Sequence, residues 1–419
     1  MARHYYLTRS GVLRRKDNTI RFETSADPGE ARPEPAHKSA RDASAPGLDS
    51  AEGGAGESAA NECPDDFGAI PDSGDADIMD SFGDLSLEPE LFSEDDTLAG
   101  DAPLEAPISG EAVRVQDRRV IPIEDVDALW AFAELELNAR VLNFLSQRKV
   151  PLHLFNYYGF YSGSFYPREY LNAGYVLVRQ VRHYANRRLR AAIAREIVRS
   201  ALHNIVRNLR YYGTRGIDLQ SETEGVQTEI LQLDSARTVP ELMSCEGRAR
   251  ASYYKGFSKI LRDRMEFGKR TRRPPDNPVN ALISFTNGLV YAGVLTQIYR
   301  SQLNPTISYL HEPGARRFSL ALDLAEVFKP LLADRMIFKL INNRQVAERD
   351  FARDLNCCYL NESGRRTILR EWDARLRTTI EHRGLKRKVS YERLIRLECY
   401  KLVKHLTNVQ PYCGFRAWW

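Results

Sequence analysis

The sequence predicts an α+β protein: an N-terminal β-rich domain over residues 1–155, a connecting segment over 156–178 and a larger all-α domain over 179–419. Three observations carry that expectation. Short β-branched and aromatic runs, punctuated by turn residues, fill both ends of the first part. Apolar residues recur at helical spacing through the second. A long acidic stretch, residues 26–112, interrupts the β-rich part and fits neither pattern.

Residues 4–24 (HYYLTRSGVLRRKDNTIRFET) read as two short strands, broken at Ser10-Gly11 and again at Asp17-Asn18, both suited to tight turns. The segment 26–112 holds 23 Asp and Glu against three basic residues, Arg32, Lys38 and Arg41, with 9 of the chain's 20 prolines and 10 of its 26 glycines. Such a composition cannot offset its own ordering entropy, so a disordered insertion is expected. Loop-closure entropy grows slowly with length, which lets a sheet carry it between two strands. Strand-like sequence resumes at Val113 (VRVQDRRVIPIEDV), with a short helix expected near Ala128–Leu137 and further runs at Val141–Leu145 and Val150–Tyr157. Residues 158–174 (YGFYSGSFYPREYLNAG), rich in Gly, Ser and aromatics, read as a connection.

The helical part opens with Leu189, Ile193, Ile197, Ala201, Ile205 and Leu209, one apolar residue every four, on a stretch from Arg179 to Arg215 with ten arginines and a single acid, Glu196. A second helix is expected from Pro240 through Met265. A third starts at Asn277-Pro278, a cap followed by a first-turn proline, and runs to about Leu303. Leu320–Phe328, Asp334–Leu340, Gly364–Ile380 and Ser390–Leu406 complete the set.

The formal net charge of +4 is a sum of opposites: the acidic stretch carries −20 and the other 332 residues +24. The basic body is the part suited to polyanions. For the insertion, a tolerated loop and a moderator that competes with DNA for the basic surface both stand as expectations. The six cysteines form no CxxC pair, and Cys357 is adjacent to Cys358, so reduced thiols and a cytoplasmic location are expected. The opening residues lack a charged-then-apolar signal pattern, and no run of 18 uninterrupted apolar residues occurs, which argues against secretion and membrane spanning. Phosphate-loop, dinucleotide, HExxH and GxSxG motifs are absent, which disfavours P-loop hydrolysis and serine hydrolysis.

Chemistry is most concentrated in Leu310–Pro330 (LHEPGARRFSLALDLAEVFKP). His311 precedes a Pro-Gly turn, and Asp323 and Glu326, three apart, share one face of the helix that follows. A carboxylate pair near a histidine is either an ion-binding site or a solvated surface pair. Glu246 lies in SCEGRARASYYKGF beside Arg248 and Arg250, where a surface ion pair is the commoner role. Around it Tyr253, Tyr254 and Lys255 interleave aromatic and basic groups suited to stacking bases and holding phosphates, with core packing as the alternative. Lys269, Arg270, Arg272 and Arg273 form a basic run before the third helix, placed to reach a phosphate backbone.

These residues and their surroundings resemble the CRISPR-associated protein one family, the integrase-endonucleases of CRISPR adaptation. The resemblance rests on six stretches in order: YLTRSGVLRRKDNTIRFE, YYGFYSGSFYPREYLNAG, CEGRARASYY, RPPDNPVNALISFTNGLVYAGV, LHEPGARRFSLALDLAEVFKP and SYERLIRLECYKLVKHL. Together they span residues 4–24 and about 113–416, stepping around the acidic insertion. The resemblance implies an N-terminal β-domain joined to a helical catalytic domain. It implies Mg²⁺ or Mn²⁺ held by Glu246, His311 and Glu326, with Asp323 as a further acid of the catalytic set.

It further implies a homodimer bridged by the small CRISPR-associated protein two, acting on double-stranded DNA, both spacer fragments and repeat array, with no membrane association. The expected reaction is transesterification by a DNA 3′-hydroxyl, or hydrolysis by water, with no protein nucleophile. A catalytically inactive nucleic-acid-binding assembly protein of the same fold and an integrase of a mobile element stand as alternatives.

Overall fold

The computed structural model describes residues 3–25, 115–262, 264–271, 274–314, 318–354 and 357–419. The acidic insertion lies outside them. The described residues form one compact unit.

The chain begins with strands β1 (Arg3–Leu7), β2 (Gly11–Lys16), β3 (Thr19–Ser25), β4 (Val115–Pro122), β5 (Val126–Ala131) and β6 (Leu135–Leu137). Helix α1 (Ala139–Gln147) and strands β7 (Leu152–Phe155) and β8 (Tyr161–Phe165) follow. Two four-stranded sheets result, ordered β4-β3-β2-β6 and β1-β5-β7-β8. Asp17 makes the β2–β3 turn with φ of 51°, a left-handed conformation that Asp tolerates. Strand β3 pairs directly with β4, Thr24 opposite Asp117, so the two strands flanking the insertion are antiparallel neighbours.

Strand β5 divides the interior. Leu129 and Ala131 face a small core with Leu13, Ile20, Phe22, Phe144 and Leu152, whereas Ala128, Trp130 and Phe132 face the main core with the helices. This is the period-two alternation of a strand buried on both faces. It corrects the helix expected near Ala128–Leu137: a two-faced strand reads as an unbroken apolar run, which periodicity cannot tell from a buried helix. Val141–Leu145, expected as a strand, lies in α1, where Asn138 accepts from the Val141 amide as N-cap. The segment expected only as a connection carries β8, antiparallel to β7, and the first turns of the next helix.

The helical body comprises α2 (Gly174–Ala185), α3 (Arg187–Gly213), α4 (Gln220–Gln232), α5 (Val239–Leu261), α6 (Pro278–Tyr299) and α7 (Ser319–Lys329). A π-helical turn over Pro330–Asp334 leads into α8 (Arg335–Asn342). Two small hairpins, β9 (Phe351–Asp354) with β10 (Cys357–Leu360) and β11 (Thr379–His382) with β12 (Arg387–Ser390), alternate with α9 (Glu362–Arg377) and α10 (Tyr391–Leu406). Ile193, Ile197, Ala201, Ile205 and Leu209 are buried along α3. Its arginines serve the fold: Arg195 donates to the carbonyls of Leu233 and Ala236, Arg207 to those of Trp418 and Trp419, and Arg190 to that of Tyr309. Three of the ten arginines between Arg179 and Arg215 thus satisfy backbone carbonyls of the fold.

Helix α6 is the one helix, among the described residues, long and apolar enough to cross a membrane, and 83% of its most apolar window is buried inside the protein, as in a core helix. The cysteines among the described residues are free thiols: Cys245, Cys357, Cys358, Cys399 and Cys413.

Candidate active site

Helix α5 carries Glu246 and α7 carries Asp323 and Glu326. A capping box fixes the start of α5, Thr238 accepting from the Glu241 amide while Glu241 accepts from that of Thr238. Ala249, Tyr253 and Phe257 bury one face of α5, which leaves Glu246 half-buried at its margin. On α7, Asp323 is wholly buried and Glu326 is 7% exposed. Their three-residue spacing puts both on the inner face, next to buried Leu324.

The two helices bring their acids to a single cation. Arg250, one turn after Glu246, donates through Nε to Glu246 and through Nη2 to Glu326. Lys329 Nζ donates to the other Glu326 oxygen at 2.5 Å. Burial opposes the charge on Glu326, and Arg250 and Lys329 more than reverse it, holding the carboxyl well below the usual range.

His311 enters from the loop before α7, and Asp323 sets its position. Asp323 Oδ2 accepts from the amides of Tyr309 and Leu310 at 2.6 and 2.9 Å, while Oδ1 accepts from the His311 amide at 2.9 Å and lies 2.8 Å from His311 Nδ1. The two carboxylate oxygens therefore accept from three amides and lie against one imidazole. A hydrogen on Nδ1 leaves the Nε2 lone pair for the site, the carboxylate–histidine arrangement common around metals. The imidazole lies within electrostatic reach of Glu326. Asp323, expected among the catalytic acids, is thus placed as the residue that positions His311, because both of its oxygens are already taken.

Asp334, read from sequence only as the start of a helix, belongs to this neighbourhood. It ends the π-helical turn, is 5% exposed, and its Oδ2 finds no hydrogen-bond partner among the described residues. Burial pushes its carboxyl up to about 6, against the pull of Arg250. An acid inside the apolar run LLADRMIFKL was the available signal. Asn208 braces the same turn, donating to the Pro330 carbonyl at 2.7 Å and to the Tyr253 hydroxyl at 3.1 Å.

The residues expected on DNA separate. Tyr253 is fully buried, which corrects its expected stacking role: its ring fills the core against Phe257. Tyr254 is half-buried beside it and Lys255 is exposed. Arg270 is half-buried and braces the start of α6, donating to Asn280 Oδ1 and Ser284 Oγ at 3.1 and 3.0 Å. Arg272 and Arg273 lie outside the described residues. Arg248, the other arginine near Glu246, turns away and binds Glu229 through two hydrogen bonds of 2.8 Å.

Chemically, Glu246, Glu326 and His311 carry two carboxylates and an imidazole, the donor types of a hard or borderline divalent ion, but with Arg250 between the acids their ligand atoms do not all lie within 4.8 Å of one another. That the two carboxylates already share one cation, Arg250, fits such a group. A separate grouping joins His4, Asp127 and Glu392, whose ligand atoms all lie within 4.8 Å of one another.

Residues 108–374 match the sequence pattern of the family described as CRISPR associated protein Cas1. A curated relative from Thermodesulfovibrio yellowstonii, named CRISPR-associated endonuclease Cas1 3, is 51% identical over 303 residues, covering 72% of this chain and 92% of its own. Among solved structures, a CAS1 protein from Thermotoga maritima superimposes with a TM-score of 0.70 at 33% identity, covering 98% of this chain and 99% of its own. A casposase bound to integration product gives 0.71 at 16% identity over 99% and 93% of the two chains, a likeness of fold. A chain of a Cas6-RT-Cas1–Cas2 complex gives 0.64 at 20% identity over 71% of this chain and 33% of that one, likewise a likeness of fold.

Proposed function

The chain belongs to the CRISPR associated protein Cas1 family, and on that premise we propose that it is a divalent-metal-dependent DNA endonuclease and integrase that inserts short DNA fragments into a CRISPR repeat array by transesterification. The observation that carries the proposal is the convergence of Glu246 and Glu326, from separate helices, on one cation beside an imidazole oriented through Nδ1.

Glu246, Glu326 and His311 Nε2 would hold Mg²⁺ or Mn²⁺. Bound there, the ion supplies Lewis acidity toward a phosphate oxygen and lowers the pKa of water or of a DNA 3′-hydroxyl. Asp323, at Nδ1, leaves Nε2 as the ring nitrogen that would ligate. Arg250 and Lys329 hold the acids in place and present positive charge where a phosphodiester must lose its solvation. A DNA hydroxyl or water as nucleophile accounts for the lack of a serine or cysteine motif.

Double-stranded DNA, spacer fragment and repeat array alike, is the proposed substrate, drawn by the +24 of the basic body. A second copy of the chain is the proposed partner of α2, where Tyr175, Leu177, Val178 and Val181 are exposed on one short helix. The small protein Cas2, present with a related chain in one solved complex, is the proposed bridge.

One observation favours a second role, that of a catalytically inactive assembly protein: Arg250 stands between the acids that would bind metal. Integration into a repeat-bearing plasmid, with and without Cas2 and with and without chelator, separates the two. A catalyst joins DNA and stops with chelator, whereas an assembly protein binds DNA indifferently to chelator and steeply with salt. A plasmid without repeats, accepted equally well, would favour a mobile-element integrase.

A further inference from the structure

His311 lies in the segment that joins α6 to α7, outside any helix or strand, so what fixes it must come from its neighbours. Asp323 holds that segment from α7, through the amides of Tyr309, Leu310 and His311. Ser308 Oγ braces it from within, donating to the His311 carbonyl at 2.6 Å. A second anchor comes from α2 and α3.

Arg190, near the start of α3, donates through Nε to the Tyr309 carbonyl at 2.9 Å and through Nη2 to Glu312 Oε1 at 2.7 Å. Tyr184, near the end of α2, donates to Glu312 Oε2 at 3.1 Å, and the Arg190 guanidinium lies 4.6 Å from the centre of its ring. One guanidinium thus spans His311, taking a backbone oxygen two residues before it and a side-chain oxygen one residue after it. An arginine–glutamate pair at a surface usually contributes little. Here the Glu312 side chain is 68% exposed, but that of Arg190 is only 13% exposed and commits its Nε to the backbone. Such a grip uses two N–H groups of a planar fork, which the point charge of a lysine does not reproduce.

The anchor is tied to the helix that carries Glu326. Further along α3, Asn204 and Asn208 donate to the carbonyls of Val327 and Pro330 at 2.9 and 2.7 Å. Helices α3 and α7 are therefore keyed to each other, and residues 309–312 are pinned to both.

We propose that Arg190, supported by Tyr184 and Glu312, is a positioning residue of the DNA-joining site: by fixing residues 309–312 to α3 it sets where His311 stands relative to Glu326. The proposal rests on the reading of Glu246, His311 and Glu326 as a metal site. Arg190 acts through the backbone of the segment, as the outer neighbours of metal ligands do.

The test compares full-length parent, Arg190→Lys, Glu312→Ala and His311→Ala proteins, each checked for an unchanged Tm. In Arg190→Lys, hydrogen exchange over residues 309–311 should speed up while α3 and α7 stay as protected as in the parent. Mn²⁺ binding to the DNA-free protein, measured by calorimetric titration, should weaken by about tenfold. Glu312→Ala, which removes an exposed side chain and keeps the Nε contact, should shift both readings the same way by less. DNA joining by Arg190→Lys should need correspondingly more Mn²⁺ and approach the parent rate at saturation. Unchanged exchange over 309–311 in Arg190→Lys overturns the anchor, and faster exchange with unchanged Mn²⁺ affinity overturns its link to the site. A His311→Ala protein that binds Mn²⁺ as tightly as the parent removes the reading of His311 as a ligand, and the proposal with it.

Discussion

Around Glu246 and Glu326 an arginine reaches each acid with a different nitrogen; around Asp127 and Glu392 a single nitrogen, Arg300 Nη1, lies 2.6 Å from the first and 3.7 Å from the second. Both clusters have two carboxylates, an imidazole and a guanidinium. Arg250 reaches one acid with Nε and the other with Nη2, so each has a partner, and Asp323 holds the nearby His311. Arg300 takes one oxygen of Asp127 and lies 3.7 Å from Glu392, and His4 Nδ1 and Asp127 Oδ2 have no hydrogen-bond partner within normal distance among the described residues. Equal composition therefore gives a second acid held in close contact by the shared arginine or one held only at 3.7 Å. The position of the guanidinium relative to the two acids decides which.

The largest expected effect tests what holds His311. Asp323→Ala strands two buried amides, a half-buried one and an imidazole, and denaturant unfolding should show a loss of about 3–5 kcal/mol, with Asp323→Asn milder. A loss within about 0.5 kcal/mol would mean that the loop is held by something else.

Next comes the acid response beside the second cluster. His153 is buried, with Ser164 Oγ and Thr296 Oγ1 each 2.7 Å from its ring nitrogens, and burial pushes its imidazole down from 6.5 to about 3. The fold thus refuses a proton that the unfolded chain accepts. Its stabilisation is complete above pH 6.5 and drains as pH falls toward 3. His153→Gln should flatten that slope by roughly 3 kcal/mol near pH 4, measured as Tm against pH.

A smaller effect separates the two clusters directly. Arg250→Ala leaves Glu246 and Glu326 facing each other, and metal-free protein should lose about 2–3 kcal/mol, largely restored by Mn²⁺. Arg300→Ala should show no such rescue by Mn²⁺ once Glu246 and His311 are also replaced. Smallest of all, Lys255→Ala should leave stability unchanged and lower the slope of log affinity for DNA against log salt by about one.

Much of the helical body was legible because caps and periodicity are local. Asn277-Pro278 marks the start of α6, and the four-residue recurrence from Leu189 marks α3. Strand β5 was not, since a strand buried on both faces loses its alternation. Helix α4 carries too little apolar pattern to announce itself, and buries Glu222 and Glu229, the latter paired with Arg248. Of the candidate site, Glu246, His311 and the Asp323/Glu326 pair were visible as residues. What Asp323 does was not, because its partners are backbone amides of a loop. Arg250 looked like half of a surface pair with Glu246, and only the packing of α5 near α7 brings Glu326 to its other side. His4, Asp127 and Glu392 carry no shared motif; topology alone joins them.

The central claim is that Glu246, His311 and Glu326 form one metal-dependent site for DNA strand transfer. Its most direct test is joining of a short duplex to a repeat-bearing plasmid, titrated with Mn²⁺, comparing the parent chain with His311→Ala and Glu246→Ala proteins of unchanged Tm. The account predicts joining that rises with Mn²⁺, stops with chelator and falls by about 100-fold or more in each variant. Variants that join DNA as fast as the parent at every Mn²⁺ concentration would contradict it.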